Sequence, residues 1–262
     1  KISDYLIKPV NPKQILLSLK KNVENQRLIT RQTTSDYQNE FMQIGSQIGN
    51  RLTAEEWIAL YRKLVFWELE LSSSDDKAMD EVLTMQKNEA NQTFFRFIRD
   101  NYLKWFGKPP GERPLLSTDV FRQKVFPLLA GGKKVFVLVI DNLRYDQWRV
   151  LSPVFGEYFR TDEETLYYSI LPTATMYARN ALFAGLFPSE IEKLYPGLWE
   201  DDDNEGNKNP HEEELLQKQM TRLGRKERLY FDKSSSIKTV RKMTDLTGNI
   251  MENDLSVMVF NF

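Results

Sequence analysis

Six consecutive apolar residues, Val135-Phe136-Val137-Leu138-Val139-Ile140, stand between Gly131-Gly132-Lys133-Lys134 and Asp141-Asn142. A run this rich in β-branched residues, with no polar alternation, predicts a central parallel strand covered on both faces. A second run of the same kind, Val257-Met258-Val259-Phe260, predicts another buried strand over residues 255 to 262. Between the two, Ala174 to Ala184 has helical character and is followed by Gly185 and Pro188, a C-terminal stop signal. Strand, helix and strand in this order predict an α/β domain over residues 131 to 262.

Upstream of that domain the pattern is helical. Asn11 and Pro12 supply an N-cap and a first helical turn, and Ile15, Leu16, Leu19 and Val23 recur at helical spacing, so residues 12 to 33 read as one amphipathic helix after the strand-like Tyr5-Leu6-Ile7. From 34 to 130 the spacing stays helical, through Phe41, Ile44 and Ile48, then Trp57, Leu60, Leu64 and Trp67, then Phe94, Phe97 and Ile98. Breaks fall at Gly49-Asn50, at Ser72-Ser73-Ser74-Asp75-Asp76 and at Gly107-Lys108-Pro109-Pro110-Gly111. Aromatic residues at this spacing read as core packing rather than as a ligand site.

Composition narrows the function. Lys and Arg number 36 against 37 Asp and Glu, so no global field draws the chain to nucleic acid or anionic lipid. A DNA-binding output is disfavoured further by the lack of a basic recognition helix. The absence of cysteine removes disulfides, thiolate metal sites and a cysteine nucleophile. No apolar run approaches the roughly 20 residues of a membrane span, and no signal peptide opens the sequence, so the expected location is cytoplasmic without membrane insertion. The only histidine, His211, stands beside the acidic stretches Glu200-Asp201-Asp202-Asp203 and Glu212-Glu213-Glu214, which read together as a solvated loop carrying an exposed histidine. Both ends lie in apolar, strand-like sequence, which reads as an interior piece of a longer protein.

Two segments carry chemistry. Asp141 follows directly on a predicted parallel strand, at the sheet edge where α/β proteins bind ligands, and its carboxylate suits Mg²⁺, Mn²⁺ or Zn²⁺. The alternative is that it caps a helix beginning near Leu143 and Arg144. Pro172-Thr173-Ala174-Thr175 opens a helix, which puts two threonine hydroxyls where free amides and the helix dipole favour an anion. Either threonine also suits an N-cap. Taken together, an acid closing a strand and a hydroxyl opening a helix suggest a metal-activated nucleophile for phosphate chemistry.

Asp141, Pro172-Thr173-Ala174-Thr175 and the helix ending Gly185-Leu186-Phe187-Pro188 resemble the PglZ branch of the alkaline-phosphatase superfamily. That resemblance implies Thr175 as nucleophile, with Thr173 as the alternative two positions away, Asp141 as the first-strand metal ligand, and typically two zinc ions in the complete protein. Asp4-Tyr5-Leu6-Ile7-Lys8-Pro9-Val10 is similar to the last strand of a response-regulator receiver domain, which implies Lys8 as the switch lysine. A receiver end at 1–33, a helical linker at 34–130 and the first part of a PglZ domain at 131–262 match the arrangement of PorX-type response regulators of the type IX secretion system. The resemblance implies phosphorylation by a sensor histidine kinase, a phosphorylation-dependent homodimer, and a zinc-dependent phosphodiesterase acting on nucleotides or oligonucleotides. The alternative is a non-enzymatic adaptor that binds a nucleotide, or a protein partner such as a sigma factor or a secretion-system component. The phospho-acceptor aspartate and the remaining metal ligands are not within the sequence.

Overall fold

The computed structural model describes residues 12–72, 77–199, 209–234 and 247–261. The predicted opening strand, Lys8 and the acidic run 200–206 lie outside them. The chain divides between Phe106 and Gly107 into two compact units.

The described residues of the first unit are helical: α1 (Pro12–Gly49), α2 (Ala54–Ser72) and α3 (Lys77–Phe106). Tyr37, Ile44 and Ile48 recur at near-heptad spacing on α1, and Trp57, Leu60, Leu64, Trp67 and Leu71 do so on α2; both stripes meet Leu83 and Ala90 of α3 in one core. Trp57 packs edge-on against Phe94, and the predicted aromatic stripe is core here. A capping box starts α2, with the Glu56 amide donating to Thr53 Oγ1 at 3.2 Å and the Thr53 amide donating to Glu56 Oε2 at 2.7 Å. Helix α1 continues without a break across residue 33 and stops where Gly49-Asn50 predicts. Its early apolar residues are exposed, Leu16 at 67% and Val23 at 51%, because helical spacing reports a face that favours cover without supplying the cover.

Two polar side chains of this core, Tyr37 and Gln86, pair with each other. Tyr37, fully buried, donates to Gln86 Oε1 at 3.2 Å, and Gln86 Nε2 donates to the Phe41 carbonyl at 3.0 Å. Burial penalises the phenolate and pushes the Tyr37 pKa up to about 12. A phenol whose folded pKa lies above its unfolded value of 10.0 contributes stability that is complete below pH 10 and declines as pH rises toward about 12. Urea midpoints followed across that window should fall more steeply for the wild type than for Tyr37→Phe. Parallel slopes would show that Tyr37 is not involved.

The second unit holds a three-stranded parallel sheet in the order β1-β3-β2, built from β1 (Val135–Ile140), β2 (Leu229–Ser234) and β3 (Leu255–Phe260). Helices α4 (Tyr145–Gly156), α5 (Thr175–Ala184), α6 (Pro188–Leu194), α7 (Glu212–Arg222) and α8 (Thr247–Glu252) accompany it among the described residues. Strand β3 is buried at every position, as its sequence predicts. Among the described residues strand β1 stands at an edge rather than in the centre: only β3 pairs with it, and Phe136, Leu138 and Ile140 are 41%, 43% and 37% exposed. Its alternate residues Val135, Val137 and Val139 meet the core formed by Phe183, Ile191, Leu215, Leu216 and Leu255. An unbroken apolar run reports how a strand tolerates burial, not how many neighbours it has. Strand β2 carries Asp232 and Lys233, and that mixed pattern concealed it from a hydropathy reading.

Continuous helix ends at Phe106, and short helical turns between Ser117 and Gly132 follow. Phe121, Phe126 and Leu129 from these turns join the sheet-side core, and the Phe121 ring lies 5.6 Å from that of Phe183. Arg113 and Asp119 form a buried two-pronged ion pair at the entry to this stretch, with contacts of 2.6 and 3.0 Å.

Candidate functional site

Strand β1 delivers Asp141 to its carboxyl end, where the Asp141 amide donates to the Phe260 carbonyl at 3.0 Å. The chain then reverses through Asn142 in a left-handed conformation (φ 59°), which asparagine accepts more readily than most residues. Helix α4 begins at Tyr145 with Arg144 as its cap, so Asp141 does not cap it. Asp141 Oδ1 instead accepts from the Asn142 amide at 3.1 Å, and Oδ2 points across the sheet edge.

The predicted helix opening at Thr175 is α5. A cis Leu171–Pro172 bond precedes it, and the cap is Ala174, which makes no side-chain capping bond. Neither threonine is the cap residue. Thr173 is exposed, whereas Thr175 is half-buried with Oγ1 3.4 Å from Asp141 Oδ2. Two residues far apart in sequence thus meet at one oxygen pair. Two oxygens bound to a tetrahedral zinc at about 2.0 Å each are separated by about 3.3 Å, so the spacing fits one edge of such a site. The remaining donors are not supplied nearby: among the described residues no three His, Cys, Asp or Glu side chains cluster as a metal site.

Five further residues surround the pair. Arg179, one turn after Thr175 on α5, donates from Nη1 to Asp141 Oδ2 at 3.2 Å and to Asn261 Oδ1 at 3.4 Å. Its Nη2 donates to Glu212 Oε2 at 2.6 Å, and Lys233 Nζ lies 3.2 Å from the same oxygen. Asn209 Nδ2 donates to the Thr175 carbonyl at 3.1 Å and to Glu212 Oε1 at 3.3 Å. Two carboxylates face two cations, so the cluster balances its own charge.

Glu212 corrects the reading of the acidic stretch as solvated loop: it is the first residue of α7 and is buried, its charge met by Arg179 and Lys233. The signal lay in the spacing, because Leu215, Leu216 and Gln219 follow at i+3, i+4 and i+7, which puts Glu212 at the head of a buried stripe. His211 is the helix cap position rather than an exposed loop residue, with Nδ1 3.6 Å from Glu214 Oε2. Asn209 and Lys233 carried no such signal.

The end of α5 is held as firmly as its start. Gly185 adopts φ +60°, and a β-carbon there would lie 2.1 Å from Nε2 of Gln219, itself buried on α7. Arg222 Nη2 donates to the Ala184 carbonyl at 2.6 Å. Gly185→Ala is expected to destabilise this unit by about 2–4 kcal/mol, from left-handed strain plus displacement of Gln219. Thermal unfolding measures it, and an unchanged melting temperature would contradict it.

Comparison with family models decides the lineage. Residues 120–262 match the BREX system PglZ alkaline phosphatase-like domain. The chain belongs to that family. Residues 27–106 match the PorX response regulator linker domain, so a response-regulator linker stands before a PglZ alkaline phosphatase-like domain. Comparison with curated proteins gave no match. No helix among the described residues is long and apolar enough to cross a membrane.

Proposed function

We propose that the protein is a two-component response regulator whose PglZ domain hydrolyses phosphodiester bonds in nucleotides or oligonucleotides, with zinc, and thereby regulates type IX secretion. The observation that carries the reading is the approach of the Thr175 hydroxyl to the Asp141 carboxylate at the sheet edge, in a PglZ domain, at the N-terminus of α5. Thr175 Oγ attacks phosphorus, a new O–P bond forms as the bond to the leaving oxygen breaks, the hydroxyl proton is lost to solvent and the leaving oxygen takes one up; water then hydrolyses the threonine-bound diester and releases the phosphomonoester. Asp141 Oδ2 accepts the hydroxyl hydrogen bond and orients Oγ, while the first amides of α5 face the phosphoryl oxygens and favour their charge. Zinc held by Asp141 and Thr175, with ligands beyond this pair, would lower the hydroxyl pKa and screen the phosphate charge.

Cleavage of a chromogenic phosphodiester by the full-length protein, with zinc and with a chelator, tests the reading. Thr175→Ala is expected to lose the zinc-dependent rate. Equal rates in wild type and variant would overturn it and favour the adaptor alternative.

A further inference from the structure

Resting on that reading, we infer that Arg179, anchored by Glu212, is the positioning residue that holds the Asp141 carboxylate over the Thr175 hydroxyl.

The hydrogen bonds close a ring. From Asp141 Oδ2 the path runs through Arg179 to Glu212 Oε2, from Glu212 Oε1 through Asn209 to the Thr175 carbonyl, and from the Thr175 hydroxyl back to Asp141 Oδ2. Thr175 is therefore gripped at both its backbone and its side chain. Arg179 and Thr175 are four residues apart on α5, one above the other on the same face, so both reach the same oxygen from one rigid element. An arginine suits this place because its planar fork spans two carboxylates in fixed geometry, which a lysine point charge does not.

Asp141 needs such a guide. It stands at a strand end next to a left-handed turn, and of its two oxygens one is occupied by the Asn142 amide. Arg179 and Thr175 are what meet the other. A reactive pair must be held within about 0.5 Å of its productive geometry, and displacement by about 1 Å costs roughly a hundredfold in rate. Packing alone does not call for this arrangement: the Arg179 and Glu212 side chains are 7% and 1% exposed, and a buried ion pair is no more stabilising than apolar residues of the same volume. Lys233 Nζ lies on the same Glu212 oxygen as Arg179 Nη2, so the buried anchor is met by two cations and stays ionised while Arg179 Nη1 reaches Asp141.

The test measures kcat and KM for phosphodiester cleavage by the full-length protein and Arg179→Ala, with guanidinium chloride added at low millimolar concentration and folding checked by circular dichroism. The expected result is a fall in kcat of about a hundredfold, KM within threefold, and saturable recovery by guanidinium but not by methylammonium. Wild-type kcat in the folded variant, or a rise in KM alone, would overturn the inference. If Arg179→Ala does not fold, Glu212→Gln serves instead: it keeps the Asn209 bond, and about a tenfold lower kcat at unchanged KM is expected, against no change if Glu212 only packs. If the wild type shows no hydrolysis, or Thr175→Ala matches it, the proposed function has failed and zinc affinity by calorimetry becomes the measurement. A tenfold loss in Arg179→Ala, recovered by guanidinium, would still support the positioning role; equal affinities, or no zinc binding in the wild type, would overturn it.

Discussion

Thr175→Ala is expected to lower kcat for phosphodiester cleavage by at least about a thousandfold, because the substitution removes the atom that forms the new bond to phosphorus. Little else changes. Alanine is the better helix former, Ala174 remains the cap, and the Asp141–Arg179 contact does not pass through the threonine side chain, so the variant should fold with unchanged thermal stability. Thr175→Ser keeps a hydroxyl at the same place and should retain activity within about tenfold of wild type. Thr173→Ala removes an exposed side chain and should be neutral, which separates the two threonines of the motif. Acid-quenched wild-type protein should carry on Thr175, by mass spectrometry, a phosphoryl group that still bears the substrate's remaining ester substituent. Activity lost in Thr173→Ala and kept in Thr175→Ala would show that the nucleophile is misassigned.

The second large effect concerns stability. Arg113→Ala should destabilise the sheet-bearing unit by about 3–5 kcal/mol, because it leaves the Asp119 carboxylate buried without its cation. Both side chains are 6% exposed and joined by two parallel bonds, and Arg113 Nε also donates to the Lys108 carbonyl at 3.1 Å. Asp119 Oδ2 further accepts from the Leu116 amide at 3.1 Å, at the head of the turns that carry Phe121, Phe126 and Leu129 into the core. Loss of the arginine thus releases the loop after Gly107 and weakens the seating of those turns. Replacing both partners, Arg113→Met with Asp119→Leu, should cost less than Arg113→Ala alone, since no unpaired charge remains, though the Leu116 amide then loses its acceptor. Urea unfolding of the three variants measures the difference. A loss below about 1 kcal/mol for Arg113→Ala would show that water reaches Asp119 freely.

Elements that announce themselves by local chemistry were legible. The stop at Gly49-Asn50, Gly185 closing α5 and the wholly buried β3 each depend on residues within a few positions of one another. What depends on distant neighbours was not. The run 135–140 reads as a central strand, yet its position in the sheet is set by which strands pair with it. The turns from 117 to 132 continue the helical grammar, but Phe121 finds its partner Phe183 on α5, about sixty residues later in the chain.

The sequence by itself determined the α/β class, the helical segment before it, and the two positions where a carboxylate and a hydroxyl would be presented, because strand ends and helix starts are written in short-range patterns of apolarity and turn chemistry. Only the tertiary structure decided that these two meet at 3.4 Å, and that Glu212, one of three adjacent acids, turns inward to hold Arg179 against them. A charged side chain gives no local sign that it will be buried: its solvation is lost only when a cation arrives from another part of the fold to replace water, and that arrival is a property of packing.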